Sequence, residues 1–175
     1  MNKFKSDKFK EYYFNPLEPF QIYVDMDGVL CDFDFQFKTL TKFEYTSDEY
    51  VYKYGREDFQ NTILEAGIDF WSEMPWKDDG RLLWNYVTKY NPIILSTPFE
   101  FASCYEGKES WCSNFLGRKY QVILTKDKAQ YAAKNSLLID DFDTNTIPFE
   151  EAGGNAILHT SAIETIKILK EKYQI

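Results

Sequence analysis

Five short apolar runs recur along the chain, each bounded by polar or turn residues, and they constrain the fold more than any other feature. Within each run the apolar residues are continuous rather than alternating, which is typical of strands buried on both faces of a parallel sheet. The runs are QIYVD (21–25), PIILS (92–96), QVILT (121–125), SLLID (136–140) and NAILH (155–159). We therefore predict a parallel sheet of five strands.

Stretches with helical patterns lie between these runs. Segment 78–90 carries apolar residues on one face, segment 106–117 ends at a glycine, and segment 160–173 begins with residues suited to a capping box. The alternation of strands and helices predicts a doubly wound, Rossmann-like α/β fold. Because the crossovers of such a sheet are right-handed, the carboxyl ends of all strands meet at one edge, where ligands bind.

Segment 33–75 interrupts this alternation. It is rich in Phe and Tyr, helical in pattern, and lies between the first strand and the next crossover helix. We interpret it as a small helical cap over the ligand edge, with an ordinary long crossover as the alternative. The α/β core then comprises residues 21–32 and 76–175, and residues 1–20 form an N-terminal arm.

The composition excludes several classes of protein. No apolar run approaches the roughly 18 to 20 residues of a membrane span, and the N-terminus lacks the apolar centre of a signal peptide, so we expect a cytoplasmic protein. The three cysteines form no CxxC pair, and a single histidine makes a histidine-based zinc site or a serine-type triad hard to build. A net charge of −8 opposes binding to a nucleic-acid backbone, although two or three lysines could hold a small phosphorylated ligand.

The first run ends in two aspartates, Asp25 and Asp27, and Gly28 follows at once. Each carboxylate raises the cost of ionising the other unless a cation or a chemical task compensates. A solvated turn is the alternative, since Asp and Gly are common turn residues. Polar side chains also follow three of the other runs, and this favours a functional site: Ser96, Thr97, Lys126, Lys128, Asp140 and Asp141.

These residue types match the needs of phosphoryl transfer, which are a nucleophile, an acid for the leaving oxygen, a divalent cation and donors to phosphate. Asp25 can attack phosphorus, while Asp27 protonates the leaving alkoxide and then accepts a proton from the water that hydrolyses the aspartyl-phosphate. Ser96 and a lysine after the third strand can bind phosphate oxygens. Asp140 and Asp141 would complete an oxygen-rich shell for Mg²⁺. The sequence thus predicts a magnesium-dependent phosphatase.

Four motifs make the chain resemble the haloacid dehalogenase superfamily of aspartate-nucleophile phosphatases. They are DMDGVLCD (25–32), IILSTP (93–98), ILTKDK (123–128) and LLIDD (137–141). A lysine three residues before a tryptophan, Lys108 and Trp111, narrows the resemblance to the 5′(3′)-deoxyribonucleotidase family, whose substrates are nucleoside monophosphates.

The resemblance implies roles for individual residues. Equivalents of Asp25, of the Asp27 backbone carbonyl and of the Asp140–Asp141 pair bind Mg²⁺. Those of Ser96, Thr97, Lys108 and Lys128 contact phosphate. The cap supplies aromatic contacts to the nucleoside, and the candidates, which could equally fill the cap core, are Phe33, Trp71 and Trp76.

Several points stay open. The spacing from Lys128 to Asp140 is longer than in the family, so Lys126 is an alternative, and Lys108 could be a solvated lysine in the first turn of a helix. The substrate could be another small phosphoester or a polynucleotide 3′-phosphate, and the fold could serve a catalytically silent binding module. Asp27 nevertheless favours phosphate-ester hydrolysis over dehalogenation. A homodimer is left open, and we expect a neighbouring side chain to satisfy His159.

Overall fold

The computed structural model describes residues 20–175, so the predicted N-terminal arm lies outside the described residues except for Phe20. Strands and helices alternate along the rest of the chain. The strands are β1 (Gln21–Val24), β2 (Ile93–Ser96), β3 (Val122–Leu124), β4 (Ser136–Asp140) and β5 (Asn155–Leu158). The helices are α1 (Phe33–Leu40), α2 (Ser47–Tyr54), α3 (Arg56–Ser72), α4 (Gly80–Val87), α5 (Ala102–Phe115), α6 (Asp143–Glu151) and α7 (Ala162–Lys172).

The five strands form one parallel sheet in the order β3-β2-β1-β4-β5, which confirms the predicted fold class. Strand β1 is central and pairs with β2 on one side and β4 on the other, so that Val24 lies beside both Ile94 and Ile139. The chain adds β2 and β3 on one side of β1 and then β4 and β5 on the other, so the strand order reverses at β1. The carboxyl end of β1 is therefore the switch point at which open α/β sheets bind ligands.

Burial on both faces of the sheet explains the continuous apolar runs. Ile22 and Val24 belong to the large core on one face, whereas Tyr23 belongs to a smaller cluster on the other face, with Leu138 and Phe149. Since successive side chains of a strand point to opposite faces, apolar residues are needed at every position.

One predicted helix start matches its sequence signal, and another does not. Ser161 accepts a hydrogen bond from the Glu164 amide at the start of α7, as predicted. Helix α5 begins at Ala102, four residues before the predicted segment, and its N-cap residue Phe101 makes no side-chain capping bond. No capping signal marks this start, and as a consequence Lys108 lies in the second turn of α5 rather than the first.

Helices α1, α2 and α3 occupy the segment predicted as a cap, between β1 and α4. Helix α3 breaks at Gly67, whose φ of 71° is outside the helical region. Beyond the break, α3 packs closely on α5 at Gly107, where an added Cβ would lie 2.4 Å from the Cβ of Trp71 and 2.8 Å from the carbonyl oxygen of Ile68. Only glycine permits this approach.

Among residues 20–175, no helix has the length and apolar character needed to cross a membrane.

Candidate active site

The carboxyl edge of the sheet brings together the polar residues that follow separate strands. Asp25 follows β1, Ser96 ends β2, Lys128 lies in a short 3₁₀ turn after β3, and Asp140 ends β4. All four are buried. Buried charges require partners, and the contacts at this edge supply them.

Three carboxylates converge at the centre of the site. Asp25, Asp140 and Asp141 each offer an oxygen, and these oxygens lie within 4.8 Å of one another. Asp141 Oδ1 is buried and accepts no hydrogen bond. Burial, together with the charges of Asp25 and Asp140, raises the pKa of Asp141 to about 7. The cluster is therefore short of positive charge.

Gly28 makes room for this cluster. A Cβ at this position would lie 1.9 Å from Asp141 Oδ2, and the glycine has a φ of +76° that other residues rarely adopt. The glycine that follows the two aspartates is thus required both by the turn and by the carboxylate that packs against it.

Lys128 forms the cationic side of the cluster. Its Nζ lies 3.0 Å from Asp25 Oδ1 and 2.5 Å from Asp140 Oδ2. Burial alone would lower the pKa of Lys128, but the charges of Asp25 and Asp140 outweigh it and the pKa is raised. The alternative lysine, Lys126, is exposed and forms an ion pair with Glu100. The structure thus places Lys128 at the site and Lys126 outside it.

Asp140 is held by a complete set of donors. Its Oδ1 accepts hydrogen bonds from the Phe142 amide at 2.9 Å and from Asn145 Nδ2 at 3.0 Å, while Oδ2 faces Lys128. Burial first, and the Asp25 charge second, raise the pKa of Asp140. Asn145 therefore holds Asp140 at the carboxyl edge of the sheet, whereas Asp143 is exposed.

Lys108 is fully buried, which excludes a solvated surface role. Its Nζ donates to Asp27 Oδ2 at 2.6 Å, to Ser96 Oγ at 2.9 Å and to the Thr97 carbonyl at 3.2 Å. Burial alone would lower the pKa of Lys108, but the charges of Asp27 and Asp25 raise it well above its ordinary value. A second lysine–aspartate pair thus lies beside the pair formed by Lys128 and Asp25.

Cys31 contacts Asp27, and the sequence did not indicate this contact. Its thiol donates to Asp27 Oδ1 at 3.5 Å, so that each carboxylate oxygen of Asp27 has a different partner. Burial, with the Asp27 charge second, raises the pKa of Cys31 well above its ordinary value, and the group remains a protonated donor. No motif could have revealed this role, because a cysteine beside a strand is usually only a small core residue.

A cavity of about 390 Å³ opens over Asp27, Gly28 and Asp141. Its aromatic wall includes Phe33, whose ring stacks on that of Phe99 with a centroid distance of 6.4 Å. The other lining residues were not predicted as site residues, and they come from helices α1 to α3 and from loops: Asp32, Asp34, Ser47, Asp48, Val51, Arg56, Phe59, Lys77, Phe99 and Phe142.

The two tryptophans proposed as base contacts do not line this cavity. Trp71 has no exposed surface and lies behind Phe33 and Phe99. Trp76 packs against Trp111 and borders a separate surface depression. Phe33 is therefore the one predicted base contact, among the three, that the structure places at the cavity.

His159 has a structural environment. Its Nδ1 lies 2.8 Å from Thr165 Oγ1, and both side chains are buried. Burial lowers the pKa of His159. The prediction that a neighbour satisfies this side chain is confirmed, and the partner comes from α7.

Comparisons by sequence identify no relatives, since no protein-family model matches the chain and no curated protein matches it. Solved structures do match. A hydrolase from Streptococcus pneumoniae TIGR4 is 13% identical with a TM-score of 0.56, over 87% of this chain and 100% of that one. The HAD-hydrolase YfnB from Bacillus subtilis, whose structure is bound to magnesium, is 12% identical with a TM-score of 0.54, over 87% of this chain and 100% of that one.

A predicted phosphatase from Clostridium acetobutylicum is 12% identical with a TM-score of 0.52, over 90% of this chain and 100% of that one. None of these three is named as a nucleotidase. Likeness at such low identity concerns the fold alone, because one fold hosts many activities. The fold of this chain is the one found in haloacid dehalogenase-type hydrolases.

Proposed function

We propose that this chain is a magnesium-dependent phosphatase that forms an aspartyl-phosphate on Asp25, and that its substrates are nucleoside monophosphates. The observation that carries the proposal is the pairing of two buried lysines with two aspartates at the switch point of the sheet: Lys128 with Asp25, and Lys108 with Asp27. One carboxylate is thereby oriented for attack and the other for proton transfer, in separate environments.

The carboxylate cluster fits a hard divalent cation. Asp25, Asp140 and Asp141 are oxygen donors within 4.8 Å of one another, and the buried Asp141 Oδ1 lacks a partner. Because the donors around Asp140 already satisfy its oxygens, we assign Asp141 and Asp25 as direct ligands and Asp140 as the residue that orients the cluster. The resemblance adds the backbone carbonyl of Asp27. Bound there, Mg²⁺ would neutralise the charge that otherwise repels a phosphate dianion.

The chain's own residues then account for both chemical steps. A carboxylate oxygen of Asp25 forms a bond to phosphorus and the ester P–O bond breaks. The protonated form of Asp27 gives its proton to the departing alkoxide and becomes the carboxylate that pairs with Lys108. In the second step Asp27 takes a proton from water, whose oxygen attacks the same phosphorus and releases Asp25 and orthophosphate. Ser96, whose Oγ accepts a hydrogen bond from Lys108, would donate its hydroxyl hydrogen to a phosphate oxygen in both steps, while Lys108 would supply positive charge next to the phosphate.

The cavity supports a nucleoside as the leaving group. A flat base can pack against the aromatic wall formed by Phe33 and Phe99, and the volume of about 390 Å³ falls within the usual range for small-ligand sites. The net charge of −8 counts against a polynucleotide substrate.

An assay of orthophosphate release tests the proposal. With Mg²⁺ present, we expect the chain to hydrolyse deoxyribonucleoside and ribonucleoside monophosphates, and we expect excess EDTA to abolish this activity. The panel includes glycerol phosphate and a sugar phosphate as esters without a base. Equal rates on all esters would contradict the nucleotidase assignment and leave the phosphatase, whereas a lack of release from any ester would contradict both.

Asp141→Asn is expected to change the stability of the metal-free chain and the response of stability to Mg²⁺ in opposite directions. In the metal-free chain the raised pKa of Asp141 means that stability is lost as pH rises from about 4 to about 7, because the folded state must give up a proton that it binds tightly. At pH 8 we therefore expect the variant to be more stable than the wild type by about 1–2 kcal/mol, less than the full shift implies because the carboxylate is partly exposed. Urea denaturation without metal measures this gain.

The same variant should lose the stabilisation that Mg²⁺ gives the wild type, since a ligand that binds only the folded state raises its stability. Thermal melts without MgCl₂ and with about 10 mM MgCl₂ provide the comparison. Wild-type melting that does not respond to Mg²⁺, or a variant that responds as the wild type does, would contradict the assignment of Asp141 as a ligand.

A further inference from the structure

Trp71 lies in the last turn of α3 with its whole side chain buried. On one side it is surrounded by other rings, with centroids 5.9 Å from Phe33, 5.0 Å from Phe70 and 5.3 Å from Phe99. On another side its ring faces a cation, since its centroid is 5.4 Å from Lys108 Nζ. A tryptophan of the cap segment thus touches the lysine that holds Asp27.

The ammonium of Lys108 has three N–H donors, and the structure gives each an acceptor in Asp27, Ser96 and the Thr97 carbonyl. The Trp71 ring covers the group from a further side. Cation–π attraction is strongest where the cation is desolvated, and Lys108 has no exposed surface. We infer that Trp71 is a positioning residue, whose ring holds the Lys108 ammonium against Asp27 and Ser96.

Close helix packing fixes the ring in place. The contact of α3 with Gly107 sets the Cβ of Trp71 directly beside the residue that precedes Lys108. Just after α3, the Met74 carbonyl accepts a hydrogen bond from the indole of Trp111 at 2.8 Å, which joins the same two helices again. The position of the Trp71 ring is therefore a property of the α3–α5 interface.

The indole of Trp71 also carries an unsatisfied polar group. Its Nε1 is buried without a hydrogen-bond partner, which is unfavourable. Phenylalanine would fill an apolar site without this disadvantage. The larger and more electron-rich face of the indole gives tryptophan a compensating advantage beside a buried cation.

A double-mutant cycle tests the inference, whose catalytic part rests on the proposed function. The variants are Trp71→Leu, Lys108→Met and their combination, each assayed for kcat and KM on the best monophosphate with Mg²⁺. We expect Trp71→Leu alone to lower kcat/KM about 30-fold. In the Lys108→Met background the same change should lower it by less than about threefold, because no ammonium remains to be positioned.

Two further variants separate positioning from packing. Trp71→Phe keeps an aromatic face and should retain activity within about fivefold of the wild type, well above Trp71→Leu. Trp84→Leu is the matched control, since Trp84 is a buried tryptophan of α4 that packs on Tyr120 and has no described contact with the site. It should lower stability and leave kcat/KM of the folded protein unchanged.

Equal losses from Trp71→Leu in both backgrounds, or equal losses for Trp71→Phe and Trp71→Leu, would overturn the inference. The second comparison decides the matter even if Lys108→Met does not fold. A wild-type chain inactive on every ester would instead overturn the proposed function. In that case, urea denaturation of the wild type, Trp71→Leu, Lys108→Met and the double variant still tests the contact. A coupling of about tenfold in the unfolding constant supports it, and additive effects of the two substitutions on stability overturn it.

Discussion

Asp25→Asn is expected to reduce phosphate release by at least about 10⁴-fold, because an amide oxygen cannot replace the carboxylate as a nucleophile toward phosphorus. The two side chains are nearly isosteric, so the fold should survive. The loss of the ion pair with Lys128 is offset by relief of repulsion from Asp140 and Asp141. Steady-state assays, with circular dichroism and melting curves as checks on folding, measure the effect.

Acid quenching of the wild type during turnover of a ³²P-labelled substrate should trap label on the protein, and Asp25→Asn should trap none. Asp78→Asn is a suitable control, since Asp78 is an exposed aspartate in the loop before α4. Its activity and labelling should equal those of the wild type. Retention of more than about 1% of wild-type activity by Asp25→Asn would refute the assignment of the nucleophile.

Asp27→Asn is expected to lower kcat on nucleoside monophosphates by about 10²- to 10⁴-fold, the usual contribution of a general acid or base. The effect should depend on the leaving group. With p-nitrophenyl phosphate, the leaving phenolate needs little protonation, so the first step should proceed and release a burst of p-nitrophenol. The second step lacks its base, and labelled phosphoenzyme should accumulate. Rapid-quench kinetics resolve the two steps.

Full activity of Asp27→Asn on alkyl esters would show that another group transfers the proton. An equal loss on alkyl and nitrophenyl esters, without accumulation of the phosphoenzyme, would show that Asp27 acts only by holding Lys108. The Asp78→Asn variant again serves as the control for removal of an aspartate charge.

The strands were predictable because a parallel sheet that is buried on both faces needs a continuous run of apolar residues in each strand. Tyr23 and Val24 are adjacent, and each lies in a core on a different face, so no polar residue interrupts the run. The positions of Asp25, Ser96 and Asp140 follow from the same logic, since parallel strands end at a common edge.

The surroundings of these residues depend on tertiary contacts that no local pattern records. Lys108 lies 81 residues from its partner Asp27 in the sequence. It lies in the second turn of α5 because the helix begins at Ala102, and no capping residue in the sequence marks that start. Cys31 donates one hydrogen bond to Asp27, and Asn145 donates to both carboxylate oxygens of Asp140. Trp71 lies in the aromatic segment that was predicted as a cap, but its contact with Lys108 depends on the packing of α3 against Gly107.

The break of α3 at Gly67 divides this helix into parts with different neighbours. The short part after the break carries Trp71 and is fixed to α5, while the longer part before it carries Arg56 and Phe59 at the mouth of the cavity. Under the proposed function, substitutions in the longer part would alter which alcohol is accepted as the leaving group without displacing Lys108. Under that proposal, the recognition of new substrates would evolve by changes in about ten residues, while the residues assigned to the reaction stay the same.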